Sequence, residues 1–460
     1  MDFLLFAIAL GFLLLAGYGA ASLLTRCRQT PGLELLSLSV LCGAAVISLL
    51  SFGLGFFVSG RPLRWMVAVV AVVLAVVAIA RRERAKTDRL IDRKWDWLMI
   101  GVLLIQCLLI AWVSVRLALG YDGLILWETK ARLLFLNGGV MPLDYYRDST
   151  KFFGTNYPLL LPLTEVWFYG WIGRQHQGLI KLVSPLFYLA GVGLLYVHAA
   201  RLSGRRWCGF LSAALFFFTP CVALRVSAGE ADFPLGVFYL AAVVYLLEYW
   251  RTNDSVALRL VAALVAVLPW VKQDGSILML CLIGLAAIKA VTRRDWKAIG
   301  IVTAPGVLVW GGWELFLKFV HVSTATVFLP VTPHTLWSNL DRSPVIAQYV
   351  MREMTNWQSW SLLWFIPILL LLRLKDKELR SLTAISLITI YLPISLYAGI
   401  YIFSAWTPFT LHIEASLSRL MLQLSLAAAL MIGLAIPNHS RQVASEQKRE
   451  DDEVKILSQV

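Results

Sequence analysis

From residue 65 to residue 80 the chain reads WMVAVVAVVLAVVAIA, without one charged side chain. Similar apolar blocks recur at 3–24, 36–58, 97–119, 179–200, 231–250 and 382–402. About 20 helical residues cross the hydrocarbon core of a bilayer. Backbone groups placed there have no water to bond, so only helices or closed barrels satisfy them. Barrel strands alternate apolar and polar residues over about ten positions, and these blocks do not alternate. The expected fold class is therefore all-α, a polytopic transmembrane helical bundle. Composition agrees: 15% of residues are charged and 59% hydrophobic, against roughly 25% charged in soluble domains.

The net charge of +13 reads first as topology, because basic residues stay on the cytoplasmic side. Basic clusters stand at Arg26/Arg28, 81–94, Arg201/Arg205/Arg206, Arg251/Arg259, Lys289/Arg293/Arg294/Lys297, Arg373/Lys375/Lys377/Arg380 and in the tail from Arg441 to Lys455. They are short and scattered between apolar blocks, which argues against nucleic acid as a partner. Placing all of them inside gives about thirteen spans, with the N-terminus outside and the C-terminus inside. The further spans are 207–224, 256–271, 276–290, 298–318, 360–372 and 417–436, and two long segments, 120–178 and 319–357, fall outside. Block 3–24 has no basic leader and no clear cleavage site, so it is expected to remain as the first span. The six cysteines lie in or beside spans without a CxxC pair, as small buried hydrophobes do.

One stretch breaks the simple pattern. Residues 157–172 read YPLLLPLTEVWFYGWI, and counting them as a span would put Arg201, Arg205 and Arg206 outside. The stretch is short, holds Pro158 and Pro162, and is rich in Trp and Tyr, which favour the membrane interface. It is expected to be an interfacial or re-entrant helix. Residues 124–136, with Trp127, Lys130, Ala131 and Leu134 at helical spacing, read as an amphipathic helix along the outer surface.

Ionisable residues at span ends are costly and often functional. On the outer side they gather at Asp122, at Glu230 and Asp232 in a short turn, and in the polar turn Lys272-Gln273-Asp274-Gly275. Lys272 runs against the positive-inside trend, so an anionic partner is expected. Ser416-Leu417-Ser418-Arg419 forms a fourth site. Its arginine has the geometry to clamp a phosphate through two hydrogen bonds, or simply to reach the interface. Taken singly, each acid also fits an ordinary helix cap or a charge favourable to a helix dipole. Together, on one side at similar depth, they are expected to close on one cavity. The expectation fails if the Asp122 and Glu230/Asp232 sites lie more than about 20 Å apart, some 13 residues of helical rise.

Several of these motifs occur together in a known order. Asp122-Gly123, Trp127, Lys130-Ala131, then Asn156-Tyr157-Pro158-Leu159, then Glu230-Ala231-Asp232-Phe233-Pro234-Leu235 resemble the polytopic C-type glycosyltransferases, the superfamily of protein O-mannosyltransferases and lipid A aminoarabinose transferases. Lys272-Gln273-Asp274-Gly275 is similar to the K-x-[DE]-G element of many bacterial members, and Ser418-Arg419-Leu420 to their late serine–arginine element. The resemblance covers roughly residues 95–436. It divides the chain into a three-span N-terminal extension (1–94), a glycosyltransferase-like membrane domain (95–436) and a polar cytoplasmic tail (437–460).

The resemblance implies an integral protein of a bacterial inner membrane, working on its periplasmic or extracytoplasmic face. It implies a polyprenyl-phosphate-linked sugar as donor and a glycan, lipid or protein acceptor, with inversion at the sugar. Asp122 matches the first-loop catalytic acid, which serves as general base for a poorly nucleophilic hydroxyl or orients that hydroxyl. Glu230 and Asp232 match a second acidic site, and with Asp122 they are the candidates should a divalent cation be used. Lys272, Arg419 and Lys130 are candidates for neutralising the leaving phosphate, while Tyr157 and Asp274 complete the substrate-binding set. Two departures stand out. Gly123 stands where several relatives carry a second acid, which argues against a paired-acid mechanism through that position, and Tyr157-Pro158-Leu159 stands where some carry a proline pair, which argues for a distant bacterial branch. A lipid flippase or solute transporter shares the span count and polar turns, although no internal repeat is visible and the polar sites sit at span ends. A non-catalytic scaffold is the third class.

Overall fold

The computed structural model describes residues 1–27, 30–81, 94–148, 152, 154–323, 327–376 and 379–436. The basic stretch 82–93, Arg28, Lys377 and the tail 437–460 lie outside the described residues. The chain is a helical membrane protein, and among the described residues its only β feature is an isolated bridge between Phe328 and Ser404. Among the described residues ten helices are long and apolar enough to cross a bilayer, or eleven if one bent pair counts as a span.

The first three helices are α1 (Asp2–Leu24), α2 (Gly32–Gly55) and α3 (Gly60–Ala80). Helices α1 and α2 meet backbone to backbone, because a methyl group at Gly43 would stand 2.2 Å from the Leu13 carbonyl oxygen. Small residues at such crossings let dispersion contacts hold helices together where lipid removes the hydrophobic driving force. The group docks on the rest of the chain through buried donors. Trp167 Nε1 donates to Ala9 O at 2.9 Å, and Trp270 Nε1 donates to Ser48 Oγ at 3.0 Å.

Next come α4 (Lys94–Arg116), a π-helical turn Gly123–Glu128, and short helices α5 (Thr129–Leu136), α6 (Leu143–Arg147), α7 (Leu160–Ile172) and α8 (Gln177–Ile180). The expected amphipathic helix is thus a π turn running into α5, and Trp127, Lys130, Ala131 and Leu134 all face inward. The expected re-entrant helix is α7, whose 13 residues rise only about 20 Å and end at Gly173. It is buried against α1, α2 and α5.

Helices α9 (Val183–Ser203), α10 (Arg206–Phe217), α11 (Pro220–Ser227), α12 (Asp232–Thr252), α13 (Ser255–Val271), α14 (Gly275–Thr292) and α15 (Trp296–Phe319) follow. The block expected as one span at 207–224 is broken: α10 and α11 meet at 68°. Proline has no N–H and forces the preceding residue into extended backbone, and Thr219 before Pro220 has ψ 107°. Helix α13 has 17 residues and stops at Lys272, whose backbone is extended.

The last third holds α16 (Pro333–Ser338), α17 (Ser343–Met354), α18 (Trp357–Trp360), α19 (Phe365–Leu369), α20 (Arg380–Ile400), α21 (Phe409–Leu430) and α22 (Ile432–Ala435). The segment expected as a span at 360–372 is short helical pieces. Ser361 turns the chain with φ 51°, and its hydroxyl donates to Phe218 O at 2.9 Å, tying the break to the α10–α11 bend. Each of the thirteen expected segments therefore contains helix, but several are interrupted, among them 207–224, 360–372 and, at Met431, 417–436. Burial sorts the helices into centre and perimeter. The most apolar windows of α12 and α21 are 89% buried, while that of α15 is 17% buried, with Val307, Leu308 and Leu315 facing outward. An apolar perimeter of this kind suits lipid rather than water.

Candidate functional site

The start of α12 gathers most of the predicted residues. The loop bearing Asp122 touches the turn bearing Glu230 through backbone: Gly120 N donates to Ala228 O at 2.9 Å. A methyl group at Gly120 would lie 3.1 Å from Glu230 Oε1. The two acidic turns are therefore neighbours, well inside the distance at which a shared site fails.

Four ion pairs, in three clusters, cross this region. Asp122 is paired with Arg419 of α21. Glu230 faces Arg225 of α11, with Nη1 to Oε2 at 3.4 Å, and Arg225 Nη2 donates to Ser418 Oγ at 3.0 Å. Burial, then the nearby Asp232, push the Glu230 carboxyl above its usual range, and Arg225 offsets only part of that. Lys272 sits between two acids, 2.7 Å from Asp232 Oδ1 and 2.8 Å from Asp274 Oδ2. Burial alone would favour the neutral amine, but the two carboxylates outweigh it and hold Lys272 well above its ordinary value. A buried charge that keeps its proton needs such partners. The anionic partner expected from its position is present twice over.

Gln423 completes the third cluster. Its Nε2 donates to Asp232 Oδ1 at 2.7 Å and to Asp274 Oδ2 at 3.2 Å, while its Oε1 accepts from Tyr397 OH at 2.6 Å. Neither Gln423 nor Arg225 was expected from sequence. Both carried a signal, since Gln423 lies one helical turn from Arg419 on α21, and Arg225 lies behind a Thr-Pro break.

Beside these clusters opens a cavity of about 410 Å³. Tyr157, Lys272, Asp274, His412, Ser416 and Arg419 are among its lining residues. Tyr401 OH and Ser416 Oγ are 2.8 Å apart on its wall, and Gln273 Nε2 donates to Asn156 O at 3.2 Å. His412 is bonded to Ser404 Oγ at 2.9 Å and stacks on Trp406 at 5.1 Å. An aromatic wall beside hydrogen-bonding groups suits a sugar ring, and a lysine and an arginine suit a phosphate.

Lys130 lies elsewhere. It is buried below this wall, donating to Gly154 O at 2.9 Å and Tyr157 O at 3.0 Å. Burial pulls its ammonium down to about 7. It holds the 154–157 loop from behind and does not line the cavity. Glu230 and Asp232 likewise stand behind the wall. Among the described residues, no group of three His, Cys, Asp or Glu side chains is gathered as a metal site requires. Each acid offered for a divalent cation, Asp122, Glu230 or Asp232, already faces a basic side chain.

No family model matches the chain, and no curated protein matches it. Among solved structures it is similar to the crystal structure of ArnT from Cupriavidus metallidurans bound to undecaprenyl phosphate, with TM-score 0.48 and 14% identity. The match covers 74% of this chain and 60% of that one, so it reaches less than two thirds of that protein's length. What the site can do follows from the chain's own residues.

Proposed function

We propose that this protein is a membrane glycosyltransferase, moving a sugar from a polyprenyl-phosphate donor to an acceptor hydroxyl at the periplasmic face of a bacterial inner membrane. The observation that carries this reading is the cavity itself, polar and aromatic, open at the end of a lipid-facing bundle with Lys272 and Arg419 in its wall. Glycan, lipid and protein hydroxyls are all compatible acceptors. The resemblance of the ordered motifs to C-type glycosyltransferases supports the same chemistry.

The donor phosphate enters between Lys272 and Arg419. A guanidinium has five N–H donors, and Asp122 uses only part of them, so phosphate competes with Asp122 for Arg419. Once released, the Asp122 carboxylate accepts the proton of the acceptor hydroxyl. The hydroxyl oxygen bonds to the anomeric carbon with inversion as the bond from that carbon to the phosphate oxygen breaks. The electron pair leaves on the phosphate, where Lys272 and Arg419 stabilise it. Asp274 is already engaged by both Lys272 and Gln423. The basic side chains take the place a divalent cation would fill.

Purified protein supplied with a polyprenyl-phosphate sugar and a mixed acceptor pool should release polyprenyl phosphate and form a glycosidic product. Uptake of a solute into vesicles with no transfer would sink this reading and leave a transporter.

A further inference from the structure

A second pair of hollows lies on the same end of the bundle, where α3, α2 and α7 meet, and shares no lining residue with the first cavity. One, of about 250 Å³, is lined by Arg61 and Arg64 together with Gly138, Gly139, Gly170 and Gly173. The other, of about 290 Å³, is lined almost entirely by apolar groups, among them Phe52, Phe56, Leu163 and Phe316. Gly139 is common to both. Its φ of +93° is strained for any other residue, and an added methyl group would press within 3.2 Å of Leu63, so position 139 itself puts no side chain between the two spaces.

Among the described residues the cationic hollow lacks a counter-charge. Among the described residues neither Arg61 nor Arg64 is in an ion pair, and the charge that acts on Arg64 is Arg61. The nearby carboxylate of Asp2 is paired with Arg174. Arg64 lies over Trp171, 5.1 Å from the ring centroid, and its Nε is buried with no hydrogen-bond partner among the described residues. Two like charges on one rim, Arg61 exposed and Arg64 half-buried, repel each other, and an anion between them relieves that. Trp65, Trp167 and Trp171 surround the place, as aromatic residues do at the level of lipid head groups.

We propose that this paired hollow binds an anionic phospholipid, its phosphate between Arg61 and Arg64 and one hydrocarbon chain in the slot lined by Phe52, Phe56 and Phe316. Charge complementarity chooses the head group, and the adjoining apolar slot chooses a lipid over a free anion. The site stands whether or not the first cavity transfers sugar.

Native mass spectrometry of the full chain in detergent, with added phosphatidic acid, tests it. Wild type should retain one tightly held lipid that phosphatidylcholine does not replace. Arg61→Gln/Arg64→Gln should weaken retention at least about tenfold, the loss of roughly 1.4 kcal/mol. Gly170→Leu, which keeps both charges but fills the hollow next to Arg64 Cδ, should weaken it too. Asp122→Asn should not. Thermal unfolding of each variant confirms that it is folded. Equal retention in the double variant and wild type overturns the proposal, as does equal retention of phosphatidylcholine. Displacement by inorganic phosphate at the lipid's own concentration would also overturn it, leaving a simple anion site.

Discussion

Helix α12 runs between two clusters of buried charge, from Asp232 at its start to Glu248 near its end, about 24 Å apart along its axis. At the Asp232 end, Lys272, Asp274 and Gln423 converge beside a cavity of about 410 Å³. At the other end, Glu34 of α2 accepts from Tyr245 at 2.8 Å, meets His198 Nε2 at 3.2 Å and pairs with Arg201 at 2.7 Å, while Arg201 reaches Glu248 at 3.5 Å. The space beside that second cluster is about 10 Å³, no more than one water. The two clusters use the same chemistry, and only one has room for a substrate. Ion pairing alone therefore does not mark a site in this bundle. Pairing beside space does.

The comparison breaks most sharply at Asp122. Asp122→Asn keeps the shape of the side chain and its bond to Arg419, so folding should be unchanged while transfer falls by about 10²–10⁴-fold, the usual contribution of a positioned base. Initial rates with a polyprenyl-phosphate sugar check this, and a rate near wild type would move the base elsewhere. Lys272→Met leaves Asp232 and Asp274 facing each other, and removing one partner of a buried pair costs about 3–5 kcal/mol. Its thermal midpoint and its activity should fall together.

Glu34→Gln should do the opposite of Asp122→Asn. It weakens charge-assisted bonds worth about 1–3 kcal/mol, lowering the midpoint while the rate per folded molecule holds. A large fall in that rate would mean the two ends of α12 are coupled. Lys130 offers a finer test through pH. Its ammonium is held at about 7 against 10.5 in the unfolded chain, so the unfolded state binds the extra proton across that window and stability rises with pH. Midpoints taken near about pH 7 and about pH 9.5 should show that rise in wild type and a flatter slope in Lys130→Met. The smallest expected effect is none: chelating divalent cations should leave the transfer rate unchanged, since Arg225, Lys272 and Arg419 already answer the three acids.

How much of this was legible beforehand depends on how far each contact reaches along the chain. Helical segments were readable because long apolar runs suffice to define them. Lys272 stood out because a cation at that end of a span needs an acid, and two were present. The α10–α11 break was missed because hydropathy averages across Thr219-Pro220, and Arg225 was lost with it. Gln423 was passed over inside an apolar run, although its spacing from Arg419 puts both on one face of α21. The Glu34 cluster had no local signal at all. Its partners Arg201 and Tyr245 are 167 and 211 positions away, and only packing brings them together.

Asp122 owes its position to the residue after it. A methyl group at Gly123 would stand 1.9 Å from the Ala228 carbonyl oxygen, so even alanine must push the two loops apart. The obstacle is main chain, and trimming the side chain at 228 would not relieve it. A mutational survey should therefore find two intolerant neighbours with different histories. Position 122 can be repaired by another group that accepts a proton. Position 123 has no second-site suppressor among side chains at 228, and a lineage that loses this glycine would have to rebuild the loop.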